Sequence, residues 1–396
     1  MARLLALAAL GLVLTAPAAT GKTTDLYSLR YGAAGNALVP YDPVRLIPSG
    51  APINLSHFGQ SWSISPDRRR FVAAEGWRPN GVRRASIGFV DLIGGRVEGT
   101  MVLASEPRRV TATAWVRGRV LVVVSGSDSS AVYAVDPNRR VAVGKVELQG
   151  SVLLGERAQS GLVLLLAAPD RIGPVTLAVV DQSPRARTVV LERISAGTAT
   201  AGEGQARRMT IRRPGLALGP SGLRAFVLGA GEPAASIDLR TLTMRYAPLR
   251  RTAASQKRVV DGAVRSAAAL PDGRIAVWGF NYGKGQNSVG LSLVDPRDWS
   301  QRRLDVAGGW YRVEGGLIFA RGASGVGLRI IRPSGEVDDL FRTGSVANVT
   351  VVGPRAFVTF FGTNTKAAIV DLGTGRVARH TVPARPLIGK GQPIVG

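Results

Sequence analysis

Most of the chain alternates between short apolar runs and turn residues. Runs of Val, Ile, Leu, Phe and Ala, for example at 71–74, 120–124 and 162–167, are bounded by Gly, Pro or Asp. Short apolar runs separated by turn residues about every 8–12 positions are typical of β-strands. Apolar residues at helical spacing are scarce. The pattern predicts an all-β protein.

One turn signature recurs along the chain: an apolar residue, then Asp, then a turn and a new strand. Its copies are centred on Asp42, Asp91, Asp136, Asp181, Asp238, Asp295 and Asp371, with Arg332 in a degenerate copy. Successive copies lie on average 47 residues apart. Asp suits this position because its side chain accepts hydrogen bonds from backbone N–H groups two residues further on.

A second signature, a tight turn between two apolar strands, precedes the aspartate in most repeats. It occurs at 65–68, 117–118, 160–161, 219–222, 270–273, 314–316 and 353–354. Two hairpins per repeat make a four-stranded antiparallel unit, and a radial array of such units at about 40–50 residues each is a β-propeller. A pair of β-sandwiches would not explain why the two signatures recur together, in the same order, along the chain. We therefore predict a single propeller of four-stranded antiparallel blades over residues 24–396.

The repeat count favours eight blades, and seven blades are the alternative. Around the first signature, at Asp42, strands are predicted only at 26–30, 37–41 and 44–47. We expect the C-terminal segment 386–395 to supply the missing innermost strand, which would close the ring at eight. Without that strand the ring would have seven blades and an N-terminal overhang.

The repeats resemble a known group of proteins. The segments Ser-Pro-Asp-Arg-Arg-Arg-Phe-Val at 65–72 and Val-Asp-Leu-Gly-Thr-Gly-Arg-Val at 370–377 are similar to those of bacterial YVTN-type and WD-repeat-like propeller proteins. The resemblance covers almost the whole chain and implies a propeller fold. It implies no particular activity, because the shared motifs are turn and strand motifs. The Gly-His and Trp-Asp pairs of true WD repeats are absent.

The N-terminal residues predict export. Arg3 precedes an apolar run at 4–14, which is followed by small residues at 15–19. This layout predicts a signal peptide over residues 1–19. A membrane anchor would need roughly 20 apolar residues to cross about 30 Å of hydrocarbon, so the run is too short. We expect a bacterial, extracytoplasmic and monomeric protein whose mature chain has no membrane span.

The charge is strongly positive, with Lys+Arg 51 against Asp+Glu 27 and a formal net charge of +24. Such a balance predicts attraction to anionic partners, although an Arg-biased genome would give the same composition. The candidate ligand-binding residues fall on the connections that leave the second strand of a unit or join successive units: Trp77, Arg78, Arg207, Arg208, Arg212, Arg213, Tyr282 and Lys284. Arginine forks bind carboxylate or phosphate, and the alternative is an Arg-rich solvated rim. The opposite face is predicted to carry Arg68, Arg69, Arg70, Arg139 and Arg140.

Several chemistries are excluded by composition or spacing. There are no Cys and only 2 His, which removes Cys-ligated metal sites, iron–sulfur clusters and Cys nucleophiles. The Gly-rich segment 279–285 lacks the spacing, the Ser/Thr and the following helix of a phosphate-binding loop. Calcium loops and the GxSxG elbow are absent. The carboxylates Glu75, Glu203 and Asp261 form no recognisable pair. We predict no catalytic or metal-ligating residue and no cofactor.

These observations lead to two functional hypotheses. The first is an exported binding or scaffolding propeller that recognises an anionic ligand or a protein partner through the Arg-rich loops. The second is a propeller-fold hydrolase or lyase acting on an anionic glycan, which needs two facing carboxylates. Specific nucleic-acid binding is not predicted, because no stripe of aromatic residues is available for base stacking.

Overall fold

The structure is a computed structural model that describes residues 26–32, 35–75, 84–104, 108–200, 208–249, 262–283, 285–306, 308–322, 326–360, 366–381 and 387–388. All regular secondary structure within these ranges is β-strand, so the all-β prediction is confirmed. The predicted signal peptide lies outside the described residues.

The first strands are β1 (Leu26–Arg30), β2 (Asn36–Tyr41), β3 (Ile53–Ser56), β4 (Phe58–Ile64), β5 (Arg70–Glu75), β6 (Ala85–Asp91), β7 (Arg96–Ala104), β8 (Arg109–Val116), β9 (Arg119–Ser125), β10 (Ser129–Asp136) and β11 (Val141–Gln149). They are followed by β12 (Ser151–Arg157), β13 (Gly161–Ala167), β14 (Gly173–Asp181), β15 (Ala186–Thr200), β16 (Arg208–Arg213), β17 (Gly215–Leu218), β18 (Arg224–Leu228), β19 (Ala234–Asp238) and β20 (Met244–Ala247). The last are β21 (Gly262–Ala269), β22 (Ile275–Gly283), β23 (Gly285–Val294), β24 (Gln301–Asp305), β25 (Gly308–Glu314), β26 (Leu317–Gly322), β27 (Val326–Ile331), β28 (Val337–Val352), β29 (Arg355–Phe360), β30 (Lys366–Asp371), β31 (Val377–Thr381) and β32 (Leu387–Ile388).

The strands form four-stranded antiparallel units. Four sheets contain one unit each, in the orders β3-β2-β1-β32, β4 to β7, β8 to β11 and β17 to β20. A nine-stranded sheet joins the units β12 to β15 and β21 to β24 through β16. A seven-stranded sheet joins the units β25 to β28 and β28 to β31, because the first part of β28 pairs with β27 and the second part with β29. The predicted four-stranded antiparallel unit is confirmed.

The first and last described strands meet in one sheet. Ile388 pairs with Tyr27 and Leu387 with Ser28, so β32 becomes the innermost strand of the N-terminal unit, which is where the C-terminal segment was expected. The prediction of a strand at 44–47 is wrong: Asp42 Oδ1 accepts the N–H groups of Val44 at 2.7 Å and Arg45 at 3.0 Å, which turns the chain. Ile53–Ser56 forms the outer strand instead. The pairing of β32 agrees with eight blades, and the blade count itself stays a prediction.

Apolar side chains fill the space between neighbouring units. Val72 and Phe89 of one unit pack with Val122 and Tyr133 of the next. In the following unit all seven residues of β13 are buried. Strands buried on both faces read as continuous apolar runs, which explains why the sequence shows runs more often than strict alternation. Each buried Val, Leu, Ile or Phe stabilises the fold by about 1.5–3 kcal/mol.

The recurring aspartates fasten the outer hairpins. Asp136 Oδ1 accepts the N–H groups of Asn138 at 2.8 Å and Arg139 at 3.1 Å, and Asp238 does the same two and three residues on. These backbone hydrogen bonds lower the pKa of the Asp136 and Asp238 carboxyls. The turn role predicted for these aspartates is confirmed.

Candidate functional site

Two faces of the ring can be distinguished by their connections. We call the loop face the side that carries the connections between second and third strands and those between units. The hairpin face carries the other two turns of each unit. Of the predicted site residues, Trp77, Arg78, Arg207 and Lys284 lie outside the described residues. Arg208, Arg212, Arg213 and Tyr282 lie on strands at the loop face.

The structure brings these four residues into one piece of sheet. The long strand β15 continues past its own unit, and its end pairs with β16, so that Thr200 lies opposite Arg208. On its other side β16 runs parallel to the start of β21, with Arg212 beside Ala263 and Arg213 beside Val264. We call the strand segments 197–200, 208–213, 262–264 and 280–282 the loop-face sheet.

One side of the loop-face sheet is open to solvent. Ile211 pairs with Gly262, which pairs with Tyr282, and residues paired in this way point to the same side. Ile211 is 42% exposed and Tyr282 38% exposed. Arg213 is two residues from Ile211 and therefore shares this side; its side chain is half-buried, with Nε itself buried. A guanidinium, a phenol ring and an aliphatic side chain thus share one accessible surface.

Two glycines of the loop-face sheet lie close to neighbouring groups. A Cβ at Gly262 would lie 3.7 Å from Cδ2 of Tyr282, which puts the tyrosine ring beside the glycine. A Cβ at Gly197, which pairs with Ile211, would lie 2.3 Å from the carbonyl oxygen of Arg171. Gly197 is therefore required for the close approach of the Arg171 backbone.

The other side of the loop-face sheet is buried and structural. Arg212 forms an ion pair with Glu232, and the second carboxylate oxygen of Glu232 accepts the N–H of Ser195 at 3.2 Å. Burial raises the pKa of Glu232, while Ser195 and Arg212 act to lower it. Arg212 therefore has a structural role, because it already binds the carboxylate of Glu232. Of the two neighbouring arginines predicted as ligand-binding residues, Arg213 is the one on the open side.

A second buried arginine supports the same sheet, and sequence reasoning missed it. Arg265 Nη1 donates to the carbonyl oxygens of Val264 and Phe280 at 3.0 Å each, and Nη2 donates to Oδ1 of Asn281 at 2.8 Å. Burial lowers the pKa of Arg265 to about 10. This guanidinium ties β21 to β22 beneath the open side.

Two groups on innermost strands were also missed. Arg312 on β25 forms an ion pair of 2.7 Å with Glu314 and donates to Oδ1 of Asn348 at 2.7 Å. Glu156 on β12 forms no ion pair, and its carboxylate accepts no hydrogen bond, within the described chain. Burial raises the pKa of Glu156 to about 7, and no neighbouring carboxylate contributes to this rise.

Of the carboxylates considered from sequence, only Glu75 lies within the described residues. Glu75 accepts a hydrogen bond from the hydroxyl of Ser86, and Glu203 and Asp261 lie outside the described residues. In the ranges that the structure describes, no group of three or more His, Asp or Glu is arranged to hold a metal ion. Those ranges also contain no helix long and apolar enough to cross a membrane.

The chain matches no protein-family model and no curated protein sequence. Its backbone is similar to that of dihydro-heme d1 dehydrogenase NirN, solved in complex with DHE, at 13% identity and a TM-score of 0.62, covering 93% of this chain and 75% of that one. BamB from Moraxella catarrhalis is 14% identical with a TM-score of 0.50, covering 84% and 92% of the two chains. AztD from Citrobacter koseri is 13% identical with a TM-score of 0.50, covering 92% and 98%. At these identities the likeness shows the fold alone, and the protein is a β-propeller.

Proposed function

We propose that this protein is an exported bacterial binding protein that takes an anionic ligand on the open side of the loop-face sheet. The observation that carries the proposal is the shared surface of Arg213, Tyr282 and Ile211. A guanidinium binds carboxylate or phosphate through paired N–H donors, and the adjacent ring and aliphatic side chain suit an apolar or planar part of the same ligand.

The proposal assigns unequal roles to the neighbouring arginines. Arg213 lies on the open side of the loop-face sheet, whereas Arg212 lies on the other side and forms an ion pair with Glu232. Glu232 neutralises Arg212, so a ligand anion on the open side meets the charge of Arg213. The alternative, a purely solvated arginine rim, predicts no difference between the two positions.

The test is binding of small carboxylates and phosphate esters, both aromatic and aliphatic, measured by saturation-transfer NMR and calorimetry. Loss of a charge-assisted hydrogen bond costs about 1.5–3 kcal/mol, so Arg213→Gln should weaken binding by about 10- to 100-fold. Tyr282→Ser should weaken aromatic ligands more than aliphatic ones. Arg303→Gln, an exposed arginine on β24, is the matched control and should leave binding unchanged. Equal effects of R213Q and R303Q would refute the proposal.

A hydrolase or lyase acting on an anionic glycan is the second candidate, and Glu156 is the residue that favours it. A buried carboxyl with a pKa of about 7 keeps a large protonated fraction near neutral pH and suits a general acid. A retaining glycosidase needs a second carboxylate about 5 Å away, and the rise at Glu156 comes from burial without such a neighbour. Release of reducing ends from polygalacturonate or alginate by the native protein, abolished in Glu156→Gln, would establish this candidate over the first.

A further inference from the structure

Arginines on the hairpin face differ in their partners from one side of the ring to the other. In the units β21 to β24 and β25 to β28 they are neutralised locally. Arg274 pairs with Asp272 at 2.6 Å, Arg297 with Asp295 at 2.5 Å and Arg332 with Asp338 at 2.6 Å. This part of the face therefore presents little net charge.

The units from β4 to β20 present a different surface. Their hairpin-face turns carry exposed arginines that form no ion pair within the described part of the chain, and we call six of them the basic arc: Arg69, Arg117, Arg139, Arg157, Arg185 and Arg224. Asp67 and Asp136 lie close enough to attract Arg69 and Arg139, but no aspartate forms an ion pair with any of the six guanidinium groups within the described chain. The oxygens of the turn aspartates accept turn N–H groups. Asp181 Oδ1, for example, accepts the N–H of Ser183 at 2.8 Å and of Arg185 at 3.1 Å.

Exposed aliphatic side chains stand on turns near both ends of the basic arc. Ile93 is 54% exposed on the outer hairpin of the unit β4 to β7, and Leu223 is 45% exposed on the inner turn of the unit β17 to β20. Val44 and Ile47, on the neighbouring outer hairpin of the N-terminal unit, are 59% and 50% exposed. These four side chains therefore present aliphatic surface to solvent on the same face as the basic arc.

We propose that the hairpin face docks on an anionic lipid surface through the basic arc, with the aliphatic turn tips entering the interface. Basic residues held near an anionic bilayer attract its headgroups, and aliphatic side chains gain by leaving water for the acyl boundary. Turn tips that end on one face of a disc-shaped fold can reach such a surface together. This contact is independent of the ligand site, which lies on the loop face.

The aliphatic tips favour a membrane over a soluble polyanion. A hydrated polymer such as polyphosphate would use the arginines but gain nothing from Ile93 or Leu223. A single-stranded nucleic acid would call for aromatic side chains on the same face. Among the described residues the markedly exposed aromatic side chains are Tyr31 and Tyr282, and both lie on the loop-face side.

The experiment measures sedimentation of the full chain with vesicles of phosphatidylcholine alone and of phosphatidylcholine mixed equally with phosphatidylglycerol. The arc variant carries Arg117→Gln, Arg139→Gln and Arg157→Gln. Its matched control removes three exposed arginines that lie on outer strands and form no ion pair within the described residues: Arg245→Gln, Arg302→Gln and Arg303→Gln. A basic residue near the surface contributes about fivefold in affinity, so the arc variant should bind mixed vesicles about 100-fold more weakly than the control.

A second pair of variants tests the aliphatic tips at constant charge. Ile93→Ser with Leu223→Ser should weaken binding to mixed vesicles, whereas Val143→Ser with Val190→Ser, on exposed outer-strand positions, should leave it unchanged. Unaltered circular dichroism and melting temperature exclude unfolding as the cause. The proposal is overturned if the native protein ignores mixed vesicles or if arc and control variants bind them equally. It is also overturned if polyphosphate binds through the arc while the aliphatic substitutions have no effect on vesicle binding.

Discussion

Glu156 makes the stability of the protein depend on pH, and the size of the effect follows from its pKa. Burial raises the pKa of this carboxyl from 4.5 to about 7 in the folded state. Because the folded pKa lies above the unfolded one, the folded state binds the proton more tightly. Stability from this group is fully present below pH 4.5 and is lost as the pH rises through 7. The loss amounts to about 3 kcal/mol at most.

Glu156→Gln keeps the size of the side chain and removes its titration. We expect the variant to match the native protein at pH 4.5 and to exceed it by up to about 3 kcal/mol at pH 8. The assay is urea unfolding followed by circular dichroism at a series of pH values. Glu192→Gln, an exposed glutamate on β15, removes the same charge and is the matched control. A dependence on pH for E156Q no larger than that of the control would refute the burial of this carboxyl.

Three further expectations concern stability. Phe89→Ala, at a side chain 1% exposed between two units, should cost about 3–5 kcal/mol in urea unfolding, and Phe89→Leu should cost clearly less. Arg212→Gln should destabilise because it leaves the carboxylate of Glu232 buried without its cation, and adding Glu232→Gln should restore part of the loss; additive effects in this double-mutant cycle would contradict the ion pair. Asp238→Ala should lower the melting temperature more than Asp238→Asn, because the asparagine carbonyl still accepts the turn N–H groups; equal melting temperatures would show that the turn does not use this side chain.

The features that the sequence predicted well are those set by neighbouring residues. The aspartate turns and tight hairpins are local, since Asp136 and Asp238 reach N–H groups only two or three positions on. The four-stranded unit follows from them. Even the predicted strand at 44–47 failed locally: the same aspartate chemistry, at Asp42, keeps the chain in a turn for longer than the apolar residues suggested.

The features that could not be predicted depend on pairings far along the chain. Arg212 and Arg213 are equivalent in sequence, and only the parallel pairing of β16 with β21, about 50 residues away, puts one on the buried side and the other on the open side. Glu156 reads as an ordinary polar residue at a strand end. Its burial comes from where β12 lies within the fold, which no local pattern encodes.

The strand β16 has a consequence for how this ring could be altered by recombination. Its backbone is hydrogen-bonded to β15 on one side and to β21 on the other, so it spans the four strands β17 to β20 that lie between them in the chain. Excising or exchanging β17 to β20 as a unit would therefore disrupt the hydrogen bonds between β16 and β21. It would not simply remove a repeat between two flexible linkers. Repeat shuffling, in evolution or in the laboratory, would therefore have to move β12 to β24 as one block.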